Sequence, residues 1–524
     1  MAQDIDERGQ VQTRARIALE ARGGDGVDMR ANGTSTAFGS DALAAVKVKP
    51  RLIMATAVWG DWHLDMHFNV NLPTLLAPGN LPALADYCDM TYVIFTRAAD
   101  VERIDAAPQI EALRQVMSVE IKLFTAADIK DPIAAHHKAW NLVTEDAARD
   151  GSLVLLMPPD VAWAENCFAS VVERLKRGER ATFMTYLRAE GATFVDALLK
   201  RKPEGEIANP VPPREMVELC LRSLHPLMAA YLRDSDYFPI HPEMILWAVP
   251  GEGFAVRVLA REMFIFDPGY FHLNHAALPA QSLKPGEASF LADSDELFAV
   301  SLAPLGKDVA WHVNPRRADP VDIAGWWMTY DSPVNDFMAA QKIRWHFAEV
   351  TEAKWQAKER ASNLFIRRAA AAREGMRIWQ AARELECSMT SLALALAVHT
   401  GPLVRAARGH GGAIVLLPSD AAFAHHRKDL LDRLLAPEGA AALTRLIRAH
   451  HIPDAGDAVQ ARDPLAVLLG GEETRELKSA DGPLLLQARP DGSYEIGRAR
   501  VTQGPVRVGP HAVYVLDRLL GPAP

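Results

Sequence analysis

Short apolar runs alternate with segments of helical spacing from Arg51 onward. The runs RLIMATAVWG, MTYVIFTR, VEIKLF and SLVLLMPPD have the length and composition of buried strands. Between them, DWHLDMHFNVNLPTLL and PIAAHHKAWNLVTEDAARDG show the spacing of amphipathic helices, and the second of these ends at Gly151. Strands that alternate with helices predict an α/β fold, with a mostly parallel sheet and flanking helices.

The later segments break this alternation. Four prolines in KPEGEIANPVPPREM predict a loop, and EMILWAVPGEGFAVRVLAREMFIFDP predicts two or three strands around a Gly-Glu-Gly turn. Residues 336–385 are rich in Ala, Arg, Glu and Lys, which predicts one or two long helices that join two domains. Residues 1–48 carry many charges and almost no aromatic residues, so we predict a disordered arm there.

Length and charge narrow the class of protein. A chain of 524 residues exceeds what one hydrophobic core usually serves, so two domains are expected. The formal charge is −9, from 57 basic and 66 acidic residues, which argues against nucleic acid as a partner. The four cysteines lie far apart without metal-binding spacing, and this favours buried thiols.

The ends of the chain and its apolar runs predict a location. The first residues, MAQDIDERGQVQTRAR, mix charges and lack the apolar core of a signal peptide. The longest apolar run, SLALALAV, is too short to cross a bilayer, so no transmembrane segment is expected. We therefore predict a cytoplasmic protein.

Three ordered segments near the end of the chain carry a family resemblance. They are AIVLLPSDAAFA, LLAPEGAAALTRLIRAHHIP and ARVTQGPVRVGPHAVYVLDRLLGPAP. In this order they resemble the two signatures of fasciclin domains and the Leu-rich, His-containing segment between them. The resemblance covers residues 376–524 and implies a smaller α+β binding or adhesion module. Ala449 stands before His450 where the family usually has a tyrosine.

Individual residues of this fasciclin-like domain have predicted structural roles. Ser419 or Asp420 is suited to cap the helix that follows, and Phe423 to pack its first turn onto the core. His450 and Asp517 are expected to tie strands and loops together through hydrogen bonds. Fasciclin domains are mostly extracellular, but the lack of an export signal implies an intracellular docking role here.

The order of elements from residue 49 to 335 resembles that of GT-A glycosyltransferases. In that family a nucleotide sits over the first strands, and an acidic motif after the fourth strand holds a divalent metal or the sugar. The usual Asp-x-Asp is absent here, because PPDVAW offers Asp160 alone, with Ala162 at the second position. The resemblance implies this domain at 49–335, a helical linker at 336–375 and the fasciclin-like domain at 376–524.

Ligands of open α/β sheets bind outside the carboxyl ends of the strands. That rule points to the loop after the first strand, with Thr56, Ala57 and Trp59, and to Arg97 after the second strand. It also points to Asp160 after the fourth strand, either as a site residue or as a turn or cap residue. We predict that Thr56, Ala57, Trp59 and Arg97 contact a nucleotide. Asp160 is predicted to orient the sugar or to bind Mn²⁺ or Mg²⁺.

Other polar groups are candidate site residues, and each of them also has a possible role that is purely structural. His136, His137 and Lys138 open a helix that faces the same end of the sheet, where cations neutralise a diphosphate, or they are an exposed helix start. Glu252 is a candidate base for an acceptor hydroxyl, or part of a plain hairpin turn.

The segment FLADSDELF gathers Asp293, Asp295 and Glu296, which suit a metal or a sugar acceptor, or form a solvated turn. Asp293 and Asp295 share with Glu252 the predicted role of base. Two further polar clusters occur, namely His272 with His275, and His312 with Arg316 and Arg317. The second of them suits phosphate or is a surface loop.

These observations predict a bacterial glycosyltransferase-like protein that moves a sugar from a nucleotide-sugar donor to a glycan, lipid or protein hydroxyl. The fasciclin-like domain would recruit a protein partner or the acceptor. The alternative is a non-catalytic binding or assembly protein on a GT-A-like scaffold, and a weaker one is an enzyme that processes free nucleotides. No Walker loop, GxGxxG, HExxH or GxSxG motif occurs, which weakens NTPase, dehydrogenase, zinc-protease and serine-hydrolase interpretations.

Overall fold

The structure is a computed structural model that describes residues 49–259, 263–269, 286–305, 317–329, 333–388, 390–391, 412–424, 430–453 and 455–521. The predicted disordered arm at 1–48 lies outside these ranges. So do His272, His275, His312 and Arg316.

The strands of the first 350 residues are short and mostly buried. They are β1 (Arg51–Ala57), β2 (Asp89–Thr96), β3 (Ser118–Leu123), β4 (Leu153–Leu156), β5 (Val161–Trp163), β6 (Ala181–Phe183), β7 (Leu187–Glu190), β8 (Met244–Val249), β9 (Gly253–Val258), β10 (Met263–Phe266), β11 (Ala288–Phe290), β12 (Ala299–Ala303) and β13 (Ile343–His346).

Helices separate and cover these strands. They are α1 (Asp61–Met66), α2 (Leu72–Leu75), α3 (Leu81–Tyr87), α4 (Val101–Asp105), α5 (Pro108–Arg114), α6 (Pro132–Asp150), α7 (Cys167–Lys176), α8 (Gly191–Leu199), α9 (Pro213–Arg222), α10 (Pro226–Ala230), α11 (Pro320–Met328), α12 (Pro333–Ala340) and α13 (Glu352–Glu384). A π-helical turn, His67–Asn71, joins α1 to α2. Helix α6 ends at Gly151 in the left-handed conformation, as predicted.

A seven-stranded sheet of order β11-β6-β10-β4-β1-β2-β3 organises this region. Strands β1 to β4 are parallel to one another, and β10 runs antiparallel between β4 and β6. The mostly parallel sheet of the predicted α/β fold is thus confirmed. From β1 the chain proceeds to β2 and β3 on one side and then returns to β4 on the other, so the strand order reverses between β1 and β4.

Two smaller sheets adjoin the first. In one, β12 pairs with β5 in antiparallel and with β7 in parallel orientation. In the other, β9 pairs antiparallel with both β8 and β13. The predicted turn at Gly251-Glu252-Gly253 connects β8 and β9 as a hairpin.

Strand β13 lies between two helices in the range 336–385, for which one or two long helices were predicted. Ile343, Trp345 and His346 are buried, and Arg344 is partly exposed. The four residues sit between α12 and α13, whose charged and alanine-rich composition dominates the sequence window. The pairing of β13 with β9 supplies the backbone hydrogen bonds that favour the strand.

The C-terminal region is built on a second seven-stranded sheet, of order β15-β14-β20-β19-β18-β17-β16. Its strands are β14 (Ile414–Pro418), β15 (His451–Ile452), β16 (Thr474–Ser479), β17 (Gly482–Ala488), β18 (Tyr494–Ile496), β19 (Ala499–Val508) and β20 (His511–Leu516). Its described helices are α14 (Asp420–Ala424), α15 (Leu430–Leu435), α16 (Ala440–Ala449) and α17 (Pro464–Leu469).

The predicted structural residues of this region make the expected contacts. The Ser419 hydroxyl accepts a hydrogen bond from the Ala422 backbone N–H at 3.2 Å and so caps α14. His450 donates from Nδ1 to the Leu446 carbonyl and accepts at Nε2 from the Leu520 N–H, at 2.7 and 2.9 Å. Asp517 accepts from the Arg500 N–H at 2.7 Å. These bonds hold the chain end against the sheet.

Helix α13 contacts both regions along its length. Its first half places Trp355 and Phe365 in a buried cluster with side chains of β8 and β9. Its second half places Ile378 and Ala382 against Val513 and other side chains of the C-terminal sheet. Among the residues that the structure describes, no helix is both long and apolar enough to cross a membrane.

The hairpin between β8 and β9 holds two glycines with different surroundings. Gly253 has φ +152°, and a Cβ there would lie 2.0 Å from the Trp345 carbonyl oxygen. Gly251 has φ +77°, with nothing within 4 Å of its Cβ position.

We therefore expect Gly253→Ala to lower the free energy of unfolding by more than about 3 kcal/mol, because β13 must move away. Gly251→Ala should cost about 1 kcal/mol, from backbone strain alone.

Urea denaturation of both variants measures this difference. Gly251→Ala is the matched control, since it carries the same substitution in the same turn. Equal losses of stability in the two variants would contradict the close approach of β13 to Gly253.

Candidate functional site

The carboxyl ends of β1 and β4 lie side by side where the strand order reverses, with Ala55 opposite Leu156. Ligands of open α/β sheets bind in the crevice at such a point. We call this crevice the switch-point cleft. Asp160 lies there after β4, and the charges of His63 and Arg188 act on its carboxyl group.

Asp160 follows β4 after two prolines, and its backbone carbonyl accepts a hydrogen bond from the Leu302 N–H at 2.8 Å. This bond ties the residue to the carboxyl end of β12. Burial raises the pKa of the Asp160 carboxyl above its ordinary value, and the charges of nearby His63 and Arg188 oppose that rise. Asp160 is therefore a partly buried carboxyl group with a histidine and an arginine nearby.

Two histidines from different helices lie near each other, and one of them, His63, also lies near Asp160. His63 lies exposed in α1, the first helix after β1, and His136 lies partly buried near the start of α6. Burial lowers the pKa of His136 to about 4, and the charges of His137 and His63 add to the lowering. His136 also packs edge-to-face on Trp140, with ring centroids 4.4 Å apart. The ring of His136 is thus held in place and is uncharged at neutral pH.

Arg188 reaches the cleft from β7. It lies opposite Ser301 of β12, which in turn lies opposite Val161, the residue after Asp160. The side chain is partly buried. The charge of its guanidinium acts on Asp160 and also on His225 and Tyr231. Arg188 therefore offers a cation to the cleft.

Glu190 supplies no carboxylate to the cleft, although it lies two residues beyond Arg188. Its two oxygens accept hydrogen bonds from the backbone N–H groups of Ala192 and Thr193, at 2.9 and 2.8 Å. Glu190 thus caps α8.

The residues predicted to contact a nucleotide divide into two groups. Thr56 and Ala57 are buried within β1, at 0 and 3% exposure. Their contact with a nucleotide stays a prediction. Trp59 and Arg97 are partly exposed beyond the ends of β1 and β2.

Trp59 and Arg97 are both held by neighbours. The Trp59 ring packs edge-to-face on Phe124, with centroids 5.4 Å apart. Arg97 makes two hydrogen bonds to Asp100, at 2.6 and 3.0 Å, and Asp100 also accepts from the Gly60 N–H at 3.1 Å. Both side chains border the loop that leads from β1 into α1.

His136 is the member of its predicted trio that lies close to His63. His137 is exposed, and Lys138 donates a hydrogen bond from Nζ to Asp128 at 2.6 Å. That bond lowers the pKa of Asp128 to about 2. The structure therefore favours the exposed-helix-start alternative for His137 and Lys138.

Glu252 anchors the hairpin turn in which it lies, and a role as base stays a prediction. Its Oε1 accepts from Lys354 Nζ at 2.7 Å, and its Oε2 accepts from the Thr351 N–H and from Trp355 Nε1 at 2.8 and 2.9 Å. The residue is only 4% exposed. Its three donors all belong to the start of α13, so Glu252 fixes that helix to the β8–β9 hairpin.

Asp293, Asp295 and His346 form a second cluster, which we call the Asp-Asp-His triad. Their ligand atoms all lie within 4.8 Å of one another. His346 Nε2 lies 3.0 Å from Asp293 Oδ1, and its Nδ1 lies 3.0 Å from the Ala348 carbonyl oxygen. A carbonyl only accepts, so Nδ1 carries a proton. Nε2 then needs a second proton, or a cation, between it and Asp293.

The triad and the switch-point cleft are separate places. Asp160 is bonded to the carboxyl end of β12, whereas Asp293 and Asp295 precede its amino end. Glu296, the third acidic residue of this segment, pairs with Arg174 at 2.8 Å. The structure thus brings Asp160 together with His63 and Arg188, but not with Glu252, Asp293 or Asp295.

Sequence reasoning missed His63 and Arg188. His63 had a usable signal, since it lies in the first turn of the helix after β1, where the crevice opens. Arg188 had none. Strand β12 pairs with β5, which follows Asp160, and with β7, which carries Arg188, and β12 lies more than a hundred residues after both of them.

A family model confirms the C-terminal prediction. Residues 389–522 match the model of the fasciclin domain. The chain therefore carries a fasciclin domain after a mixed α/β region. A search of curated proteins found no match.

Several solved structures are similar to the chain at low identity. Mouse xyloside xylosyltransferase 1 in its apo form matches at 11% identity and TM-score 0.18 over 28% of this chain and 57% of that chain. A protein from Bacillus anthracis assigned as a glucose-1-phosphate thymidylyltransferase, in complex with a sucrose, matches at 14% and 0.17 over 28% and 56%. TarS from S. aureus matches at 10% and 0.22 over 86% and 60%. The chain thus spans less than two thirds of each of these proteins.

The anchoring role of Glu252 predicts a pH dependence of stability. The hydrogen bond from Lys354, with that from the Thr351 backbone next, lowers the pKa of Glu252 from 4.5 to about 2. A lowered pKa means that the ionised group stabilises the folded state fully above the unfolded-state value and that this stability is lost as the pH falls towards 2. Wild type should therefore exceed Glu252→Gln in free energy of unfolding by a constant amount above about pH 5.5.

That difference should shrink as the pH falls from about 4.5 to 2, because protonated Glu and Gln resemble each other. Urea denaturation of both proteins across this range measures it, with Lys354→Met as a companion variant that removes only the ionic donor. A difference independent of pH would contradict the anchoring role.

Proposed function

We propose that the chain is a glycosyltransferase that binds a nucleotide sugar in the switch-point cleft and transfers the sugar to a hydroxyl of a glycan, lipid or protein. The observation that supports this most is the position of Asp160. It lies at the carboxyl edge of the parallel strands, near His63 and Arg188. Together they provide one carboxylate for a sugar or a hydroxyl and several donors for phosphate. The proposal places the protein in the cytoplasm of a bacterium.

Asp160 is the best candidate for the base in this reaction. The acceptor oxygen forms a bond to the anomeric carbon while the bond from that carbon to the diphosphate breaks, and its electron pair stays on the diphosphate oxygen. The hydroxyl proton passes to the Asp160 carboxylate. Its raised pKa brings it nearer to neutral pH, which favours this proton transfer. Glu252 and the triad do not compete for the role, since they lie elsewhere.

Trp59 and Arg97 would contact the nucleotide. Each follows a parallel strand next to the cleft and remains partly exposed. An aromatic ring offers a face on which a nucleobase stacks, and a guanidinium donates to phosphate oxygens. The fasciclin domain would bind the acceptor or a protein partner, as such domains bind ligands elsewhere.

One observation supports a non-catalytic alternative. Ala162 is fully buried in β5, so the position where a second carboxylate is expected presents no polar group. A scaffold that has lost catalysis and serves with the fasciclin domain in binding or assembly accounts for this substitution. Turnover and ligand binding distinguish the two functions.

The divalent ion of the proposal is best assigned to the triad. Two carboxylates and an imidazole suit Mn²⁺ or Mg²⁺ in donor type, and Mn²⁺ accepts the imidazole more readily. Arg214 pairs with Asp295 at 3.0 Å and would share that carboxylate with the ion. A metal held there would link the segment before β12 to β13, a structural role away from the cleft.

Asp293→Asn tests the triad as an ion site. We expect wild type to bind Mn²⁺ in isothermal titration calorimetry and the variant to bind it at least about tenfold more weakly, since a charged ligand is lost. The exposed Asp86→Asn is the matched control and should bind as wild type does. Absence of Mn²⁺ and Mg²⁺ binding to wild type would instead make the contact an imidazolium–carboxylate ion pair.

Thermal shifts of the full chain test the proposed function. Melting is recorded with a panel of nucleoside diphosphates and nucleotide sugars, for wild type, Asp160→Asn and Asp86→Asn. A ligand at a hundredfold excess over its dissociation constant adds about 2.7 kcal/mol of stability, which raises the melting temperature by a few degrees. We expect one nucleotide family to stabilise wild type and Asp86→Asn, and its sugar conjugate to stabilise Asp160→Asn markedly less. No shift with any of these ligands would reject the transferase.

A further inference from the structure

Among the described strands, β5 directly follows Asp160 and lies at the edge of its three-stranded sheet. Strand β12 binds one side of its backbone, and buried side chains bind the other side. On that second side, Asn71 Nδ2 donates a hydrogen bond to the Val161 carbonyl at 2.8 Å. The Thr74 hydroxyl accepts one from the Trp163 N–H at 3.1 Å. Both side chains are 0% exposed, and they take the place of a neighbouring strand.

The two side chains come from the π-helical turn His67–Asn71 and from α2, which continues it. They are three residues apart, so they lie on the same face of the helix. The turn is also anchored on the first sheet, because the His67 ring stacks on Tyr92 of β2 with centroids 6.2 Å apart. The Thr74 hydroxyl donates its own proton to the Val70 carbonyl at 2.9 Å, which leaves its oxygen to accept. The turn thus presents one donor and one acceptor to β5 from a fixed position.

Asp160 is held at the start of this strand from two sides. Its own carbonyl accepts a hydrogen bond from the Leu302 N–H of β12 at 2.8 Å. The next carbonyl, that of Val161, accepts from Asn71 on the opposite side. Two prolines precede Asp160, and the ring of a proline fixes its backbone angle φ. The backbone around Asp160 is therefore restrained, and its side chain leaves that backbone in one direction.

The two bonds on this side of β5 act at different distances from Asp160. The Asn71 bond reaches the residue after Asp160, whereas the Thr74 bond reaches Trp163 at the end of the strand. Loss of the Thr74 bond leaves the start of the strand bonded on both sides. Loss of the Asn71 bond leaves the Val161 carbonyl unpaired in a buried place, so the start of the strand relaxes while its end stays bonded.

We propose that Asn71 is a positioning residue for Asp160, since its hydrogen bond to the Val161 carbonyl sets the direction in which the Asp160 carboxyl group enters the switch-point cleft. This inference rests on the proposed function, in which Asp160 meets the sugar and takes the acceptor proton. Asn71 is fully buried, so it contacts no ligand and acts only through Asp160. Its removal should therefore impair recognition of the sugar more than recognition of the nucleotide.

Binding by the full chain tests this selectivity. Isothermal titration calorimetry with Mn²⁺ in the buffer compares UDP, GDP and dTDP with UDP-glucose, GDP-mannose and dTDP-glucose, for wild type and Asn71→Ala. We expect Asn71→Ala to bind the sugar conjugate about tenfold more weakly than wild type, the loss typical of one hydrogen bond to a charged group. The matching nucleoside diphosphate should bind within about twofold of wild type, because Asp160 meets the sugar and not the nucleotide.

Hydrogen exchange tests the positioning directly and without a ligand. The Leu302 amide donates to the Asp160 carbonyl, so its exchange rate reports how firmly Asp160 is held. Mass spectrometry of peptides that cover β12 should show this amide exchanging about tenfold faster in Asn71→Ala than in wild type. The other amides of β12 should keep their wild-type rates, because the strand keeps its pairing with β7.

Further variants separate positioning from general damage. Asn335→Ala makes the same substitution at another fully buried asparagine, whose Nδ2 donates to the Leu259 carbonyl at 2.9 Å. Thr74→Val removes the other side-chain bond to β5. Both should bind the sugar conjugate within about twofold of wild type, although each loses stability. Asn71→Ser replaces Asn71→Ala if the latter does not fold. It leaves room for a water at the Val161 carbonyl and should weaken binding of the sugar conjugate by about threefold.

The outcomes distinguish the two proposals. If Asn71→Ala, or Asn71→Ser in its place, binds the sugar conjugate as tightly as wild type does, the positioning role is overturned and the transferase stands. An equal loss for the diphosphate and for its sugar conjugate also overturns it, since the damage then extends beyond Asp160. An unchanged exchange rate of the Leu302 amide does the same. If wild type binds none of these ligands, the proposed function fails, and the positioning role fails with it.

Discussion

The cleft depends on the position of one short strand, β12. Its five residues pair with β5 on one side and with β7 on the other, and its Leu302 N–H holds the Asp160 carbonyl. Strand β5 directly follows Asp160, and β7 carries Arg188. The pairing therefore brings a carboxyl group and a guanidinium together from separate parts of the chain. The two residues are separated in the sequence, so bringing them together costs loop-closure entropy. The backbone hydrogen bonds between these strands offset that cost.

Buried polar groups perform a similar task around α13. Arg257 is 2% exposed, yet it donates to the Ser362 hydroxyl and to the carbonyls of Ala340 and Gln341, at 3.1, 2.7 and 2.7 Å. Burial lowers its pKa to about 10. Such a group is costly to bury unless it is fully hydrogen-bonded. Together with Glu252, it fixes the orientation of α13 on the β8–β9–β13 sheet, where apolar contacts alone would allow sliding.

The sequence predicts those features that a local pattern encodes. The alternation of strands and helices, the end of α6 at Gly151 and the hairpin at Gly251 each follow from neighbouring residues. Ser419 and His450 were predictable because the fasciclin signatures are continuous in the chain. The position of Asp160 after the fourth strand was predictable as well, since two prolines stop the apolar run there.

The features that escaped prediction arise from distant pairings. Strand β13 has four residues, too few for a strand pattern to stand out between two charged helices. Arg188 has no motif, and only the sheet register shows its relation to Asp160. Glu252 looked like a free carboxylate in a turn, because its three donors lie about a hundred residues further along. Long-range contacts therefore account for most of what sequence alone did not show.

The length of α13 has a geometric consequence. Its 33 residues present one face to β8 and β9 and a later face to the C-terminal sheet, and the later face includes Glu374, which lies 3.4 Å from His511. Each added residue turns a helix by about 100° and lengthens it by about 1.5 Å. A single insertion in the middle would therefore rotate one face away from its partner while the other stayed in place. Changes in length are tolerable only near whole turns, because the length of the helix fixes the rotation of its second buried face relative to the first.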